Sequence, residues 1–245
     1  MAEYQELPEL GFGTERGHSE VRSGRSSPET VIMDRNRTGF TLIEMTIAVA
    51  LLGVIIAIAI PAMGQWSSNA RLKAASRKIE KAFNTARLEA IRTGNNHIVF
   101  FQQDTANNSL AAGFGVPIVV IDDERAPDTN CLIDGGDDIA RIRGERGVNW
   151  GVSDATSGVP TDFGAGDIAT GSSFSDGSGN DTTWVMFNSQ GMPQRFTSAC
   201  AIGAAGTGAG AAYVSNGKRD FAVVVSPLGN VRVHLWNGGA GAWTR

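Results

Sequence analysis

Residues 39–63 read GFTLIEMTIAVALLGVIIAIAIPAM, and this stretch decides the fold. From Phe40 onward it is apolar apart from two Thr and one charge, Glu44. A run of this length crosses a bilayer as a helix. A carboxylate inside such a span is costly and asks for a partner. A short basic leader, Arg35-Asn36-Arg37-Thr38, precedes it. An ordinary secretory signal would carry a shorter apolar core followed by a small-residue cleavage site. Here the run is longer, and residues 57–59 give only a weak A-x-A match.

G-F-T-L-I-E at the head of an apolar helix resembles the class III signal of type IV pilins and pseudopilins. Counted from Phe40, Glu44 falls on that family's fifth position, Gly53 on its fourteenth and Pro61 on its twenty-second. The resemblance implies cleavage by a prepilin peptidase between Gly39 and Phe40, followed by methylation of the new N-terminal Phe40. It also implies that Glu44 serves filament assembly. In a low-dielectric bundle its carboxylate would meet the N-terminal amine of a neighbouring subunit's Phe40. The competing reading is a carboxylate at the headgroup boundary with no partner.

Upstream, residues 1–32 are polar and lack any apolar pattern, a composition that cannot bury a core. Residues 1–39 therefore read as a leader or prepeptide, and pilin leaders are short. Translation from Met33 would leave MDRNRTG, a leader of net charge +1, and the alternative is a genuine long cytoplasmic extension; both are cut at Gly39.

Downstream, helical character continues. Pro61 removes one donor and clashes a turn back, and Gly53 loosens the same stretch, so a helix break is expected there. Leu72, Ala75, Ile79, Phe83, Ala86 and Ala90 then recur at three and four residues, one apolar stripe. Arg71, Lys73, Arg77, Lys78 and Lys81 fill the other faces and read as a solvated surface. Arg92-Thr93-Gly94 supplies a basic last turn and a glycine stop. One helix from Phe40 to about Thr93 would extend about 80 Å. Residues 40–66 form its transmembrane half, and residues 67–245 form the domain that buries the stripe. The cations of the second half oppose the positive-inside rule. A cytoplasmic N-terminus in the inner membrane and a periplasmic domain therefore follow from the resemblance, not from charge.

After Gly94 the chain turns to short β runs: 97–102, 116–121, 139–143, 148–152, 183–187, 195–197, 211–215, 221–226 and 231–236. Pro227-Leu228-Gly229-Asn230 joins the last two as a hairpin turn. Two Gly/Ser/Ala-rich stretches, 153–182 and 203–210, read as loops or loop tips. The expected fold is α+β, with the amphipathic half of a long N-terminal helix laid on an antiparallel sheet or sandwich domain.

Two C-terminal segments resemble GspH/FimT-type minor pseudopilins. These are F-x-x-x-G at 187–191 and FAVVVSPLGNVRV at 221–233. Residues 104–182 carry no recognisable motif. The resemblance implies a structural subunit of a type II secretion pseudopilus. Its partners would be other pilin or pseudopilin subunits, the prepilin peptidase and an inner-membrane assembly platform. The alternative is a minor type IV pilin that binds DNA during uptake. Gly229-Asn-Val-Arg232 resembles the G-R-x-R turn of DNA-uptake members, but Asn230 replaces its first Arg. DNA contacts would then rest on Arg232, Lys218 and Arg219. Residues 93–245 hold fifteen Asp/Glu against nine Lys/Arg, a poor footprint for nucleic acid.

Cys131 and Cys200 permit one intramolecular bridge, in keeping with an oxidising compartment, but sequence does not show that they meet. The acidic loops around 134–138 and 176–181 lack EF-hand spacing and read as solvated turns. His18, His97 and His234 form no metal spacing, and no catalytic pattern stands out. No cofactor, metal or enzymatic activity is expected.

Overall fold

A computed structural model of the chain describes residues 39–101, 118–124, 130–133, 136–164 and 166–245. The leader and Met33 lie outside these residues. The described chain divides into two units at Val49/Ala50, and each is taken by itself.

The first unit is the head of helix α1 (Leu42–Thr93). Thr41 caps it: the Thr41 hydroxyl accepts from the Glu44 backbone N–H at 3.2 Å. Glu44 stands three residues after the cap, in the spacing of a capping box, where a negative charge suits the positive end of the helix.

The second unit holds the rest of α1 and ten strands. These are β1 (His97–Phe101), β2 (Ile118–Asp122), β3 (Asp138–Ile142), β4 (Asn149–Trp150), β5 (Trp184–Phe187), β6 (Pro193–Gln194), β7 (Gly210–Ser215), β8 (Asp220–Val225), β9 (Val231–Asn237) and β10 (Ala242–Thr244). They form two five-stranded antiparallel sheets, in the orders β3-β2-β1-β5-β6 and β10-β9-β8-β7-β4. The fold is α+β, with the helix packed on both sheets.

The central core explains why the stripe on α1 is spaced as it is. Leu72, Ala75, Ile79, Ala82, Phe83, Ala86 and Ala90 are fully buried. They meet Val99, Phe101, Val185 and Phe187 of one sheet and Ala212, Val214, Val223 and Val225 of the other. Alanines let the helix approach closely. Phe83 fills the junction, its ring 5.9 Å from Phe101, 5.9 Å from Phe174 and 6.5 Å from Phe187. α1 ends where Gly94 takes φ 81° and its N–H donates to the Ala90 carbonyl.

Each sheet is also covered on its outer face. Ile98, Phe100, Val119, Ile121 and Met186 pack under Cys131 and Phe196. Ala211, Tyr213, Ala222 and Val224 pack with Val159, Ile168 and Trp243. Strands buried on both faces need unbroken apolar runs, hence HIVFF and FAVVV.

Two expectations are corrected, and the two expected loops prove to be packed. The break expected at Gly53 and Pro61 is absent: the backbone is helical through both. Proline removes a single donor, and the helical turns on either side carry the loss. The stretch 153–182 is the loop expected, but it packs as a cover instead of projecting into solvent. It contains a 3₁₀ turn (Ile168–Thr170) and buries Ser172, Ser173, Phe174 and Thr182. The stretch 203–210 straps β6, with the Gly206 and Gly208 N–H groups donating to the Pro193 carbonyl. Finally, the strand expected at 195–197 is Pro193–Gln194, and β10 was not anticipated. β10 is three residues long, too short to show an alternation.

Candidate functional site

Gly39 and Phe40 stand before the first helical residue, both exposed. Phe40 is 79% exposed. A β-carbon built on Gly39 meets no atom within 4 Å, and its φ is not in the left-handed range. Nothing among the described residues requires glycine there. Gly53 is the same: a β-carbon meets nothing within 4 Å. Leu42, Ile43, Met45, Ile47 and Val49 in one unit, and Leu51 through Ile60 in the other, are exposed apolar side chains. None of the most hydrophobic 18-residue window is buried. A helix apolar all round and bare all round fits single-pass membrane anchoring.

In the domain, the two C-terminal segments meet. Gly191 (φ 72°) and Gly229 (φ 77°) lie backbone to backbone. A β-carbon on Gly191 would strike Ile91 of α1, and one on Gly229 would strike the Gly191 carbonyl and approach Arg87. The hairpin turn around Gly229 is closed by its N–H donating to the Ser226 carbonyl at 2.8 Å. Beside it, Arg87 donates to the Asn230 side chain at 3.5 Å. This is the physical content of finding F-x-x-x-G with the glycine hairpin: both turns are clamped on one turn of α1.

Cys131 and Cys200 form a disulfide across 69 residues, with Cα atoms 5.4 Å apart. Asp123 accepts from the Cys131 N–H at 2.8 Å. The three lie together, but oxidised sulfurs are spent as metal ligands. Asp176 is used by its own turn, accepting from the Ser178 N–H at 2.7 Å and the Asn180 amide at 2.8 Å. The Asn180 side chain and the Ser178 N–H hold its carboxyl below the usual range. Asp134 lies outside the described residues.

Two acids, Asp220 buried and Asp162 half-buried, fasten the cover over the second sheet. Asp220, fully buried, accepts from the N–H groups of Ser153, Asp154 and Ala155 and from the Ser153 hydroxyl, at 2.6–2.8 Å. Burial works to raise its pKa, but the backbone hydrogen bonds prevail and hold it below the ordinary carboxyl value. Tyr213 donates to Asp162 at 2.7 Å and accepts from the Val159 N–H at 3.1 Å. Burial, then the Asp162 charge, pushes the phenol well above its usual value.

The three cations considered for DNA do not form one cluster. Lys218 and Arg219 occupy the β7–β8 turn, which Asn216 ties to Ser68 and Asn69 of α1 at 3.0 and 3.1 Å. Lys218 faces a small depression beside Gly64, Gln65 and Ser68. Arg219 borders that depression too, and with Arg232 it lines a groove of about 620 Å³ between α1 and β9, joined by Lys73, Arg77 and Arg245. The basic half-helix thus contributes to a cationic groove, which the domain's net charge concealed. Lys73 and Arg77, one helical turn apart, were the available signal. His234 of β9 is buried, and burial, then Arg245 and Arg232, lower its pKa.

Residues 34–60 match the family described as the prokaryotic N-terminal methylation motif. The motif marks a type IV pilin-like chain, a class processed by prepilin peptidase and assembled with other pilin subunits. No curated protein and no solved structure matches the chain significantly.

Proposed function

We propose that the chain is a minor pseudopilin, a structural component of a type II secretion pseudopilus and not an enzyme. It is cut after Gly39, methylated on Phe40, anchored in the inner membrane with its N-terminus in the cytoplasm, and drawn into the filament with its domain in the periplasm. The single observation that carries this reading is the methylation motif heading a helix whose first half is apolar and bare on every side. The clamped Gly191 and Gly229 turns fit the GspH/FimT type, and the Cys131–Cys200 bridge fits an oxidising compartment. Glu44 would pair with the amine of a neighbour's Phe40 and so favour one stagger between subunits.

The test is processing. Because Gly39 has open space around it, Gly39→Val leaves the fold alone and strikes only the peptidase. On co-expression with a prepilin peptidase, the wild-type chain is expected to shorten to Phe40 and gain one methyl group. Gly39→Val is expected to stay full length. Equal processing of both rules the assignment out.

One observation favours a second reading, a minor pilin for DNA uptake: Arg219 and Arg232 share a groove with cations of α1. Loss of secretion in a deletion strain supports the first reading, and loss of transformation supports the second.

A further inference from the structure

The outer edge of β9 is only half paired. β10 pairs with Leu235, Trp236 and Asn237. Among the described residues no strand pairs with 231–234 on that side. The direction of the free groups follows from the pleat. The Leu235 carbonyl faces β10, where the Thr244 hydroxyl donates to it at 3.2 Å. Two-residue periodicity then turns the N–H and C=O of Val233 and Val231 the same way. Those groups form an open ladder at the mouth of the groove between β9 and α1.

The groove has an apolar floor and a cationic rim. Phe221, Val231 and Val233 pack against the central core and form the floor. Lys73 and Arg77 stand on the helix side with Arg219 and Arg245 beyond them, and Arg232, in register with Val224 of the outer face, borders the groove from across the strand edge. Glu80 is the one carboxylate among the described lining residues. None of the five cations has an ion pair among the described residues.

We propose that this edge is a docking site for an extended acidic segment of another protein, added as a strand beside β9. Backbone pairing to Val231 and Val233 supplies affinity, and the rim supplies selection by charge. Charged residues on an edge ordinarily guard it against self-pairing. Here they carry one sign, so they repel a second copy of the same edge and admit a strand of the opposite sign. The free strand edge and the apolar floor favour a peptide over nucleic acid, which would use neither the ladder nor Val231. The site does not depend on the filament reading: it would capture an acidic strand whatever machine the chain serves.

The experiment uses the full chain in detergent and a capped decapeptide alternating Glu and Val, with its Lys/Val counterpart and a twenty-base oligothymidylate as controls. Hydrogen exchange is expected to slow at least tenfold at the Val231 and Val233 amides with the Glu/Val peptide alone. Binding followed by fluorescence anisotropy is expected to weaken with salt and to fall at least tenfold in Arg232→Glu, whose side chain is exposed. Val233→Pro is expected to abolish the protection left to read at Val231, because it removes a donor to the added strand, and the fold accepts it because that edge N–H is unpaired in the free chain. If that variant does not fold, Arg232→Glu decides. Unslowed amides, equal binding of the Lys/Val peptide, unchanged affinity in Arg232→Glu, or tighter binding of the oligothymidylate would each overturn the proposal.

Discussion

Gly229 rests on the Gly191 carbonyl so closely that it has no room for a β-carbon, and Gly191 is crowded in turn by Ile91 of α1. Both hold φ in the left-handed range, so a side chain would be strained as well as crowded. Gly229→Ala is expected to cost about 3 kcal/mol, combining backbone strain with overpacking. Gly191→Ala, which would meet the more yielding Ile91 side chain, should cost less. Gly53→Ala, with open space around it, is the control and should change the domain's unfolding midpoint little. Denaturant unfolding of the three variants in detergent checks the order.

Acid should release the cover over the second sheet. The Asp220 pKa is depressed in the folded chain, so its contribution is fully present above the unfolded carboxyl value of about 4. That contribution is lost as pH falls through the lower folded value. Asp220→Asn should destabilise by about 3 kcal/mol at neutral pH, because it disturbs a buried acceptor of four hydrogen bonds. It should also flatten the acid limb of the stability curve. Unfolding measured from pH 2 to 7 reads both effects.

The disulfide closes a separation of 69 residues, for which chain-entropy reasoning allows up to about 4 kcal/mol. Cys131→Ser/Cys200→Ser should lower the unfolding midpoint, and dithiothreitol should lower that of the wild type but not of the variant. An effect of dithiothreitol on the double variant would show that something other than this bridge is being titrated.

Glu44→Ala should leave membrane insertion intact or improved, since a costly charge is removed. Recovery with partner pilins in pull-downs should fall, and Glu44→Asp should restore it only in part, because the shorter side chain retracts the carboxylate. Partner recovery from Glu44→Ala at the wild-type level would refute the pairing with a neighbour's Phe40.

The helix and its stripe were legible because two physical signals coincide there. Leu72 to Ala90 repeat at the helical period, and Gly94 stops the pattern in the conformation glycine permits. The hairpin at 227–230 was legible for the same reason. The covers were not. Ser172, Ser173 and Thr182 are polar residues buried by hydrogen bonds to distant partners, such as the Ser173 hydroxyl to Asp162 at 2.7 Å. A local reading of composition assigns such residues to solvent. The cationic groove was hidden differently: Lys73 and Arg77 are 142 or more positions before Arg219 in the chain, and only packing brings them to one place.

Phe83 has one further consequence. Wedged between Phe101, Phe174 and Phe187, it fixes the rotational phase of α1 about its own axis. A helix advances about 100° per residue, so the azimuth of a distant position is set by counting. Gly53 lies thirty residues before Phe83 in the same unbroken helix. Inserting one residue in the exposed turns just after Gly53, before the buried stripe begins at Leu72, would swing Gly53 to a different compass bearing without touching any packed atom of the stripe. Inserting seven would return it to within about 20°. The length of chain between the wedge and the bare segment is therefore a dial, set once by the gene, that decides which side of the helix a neighbour meets.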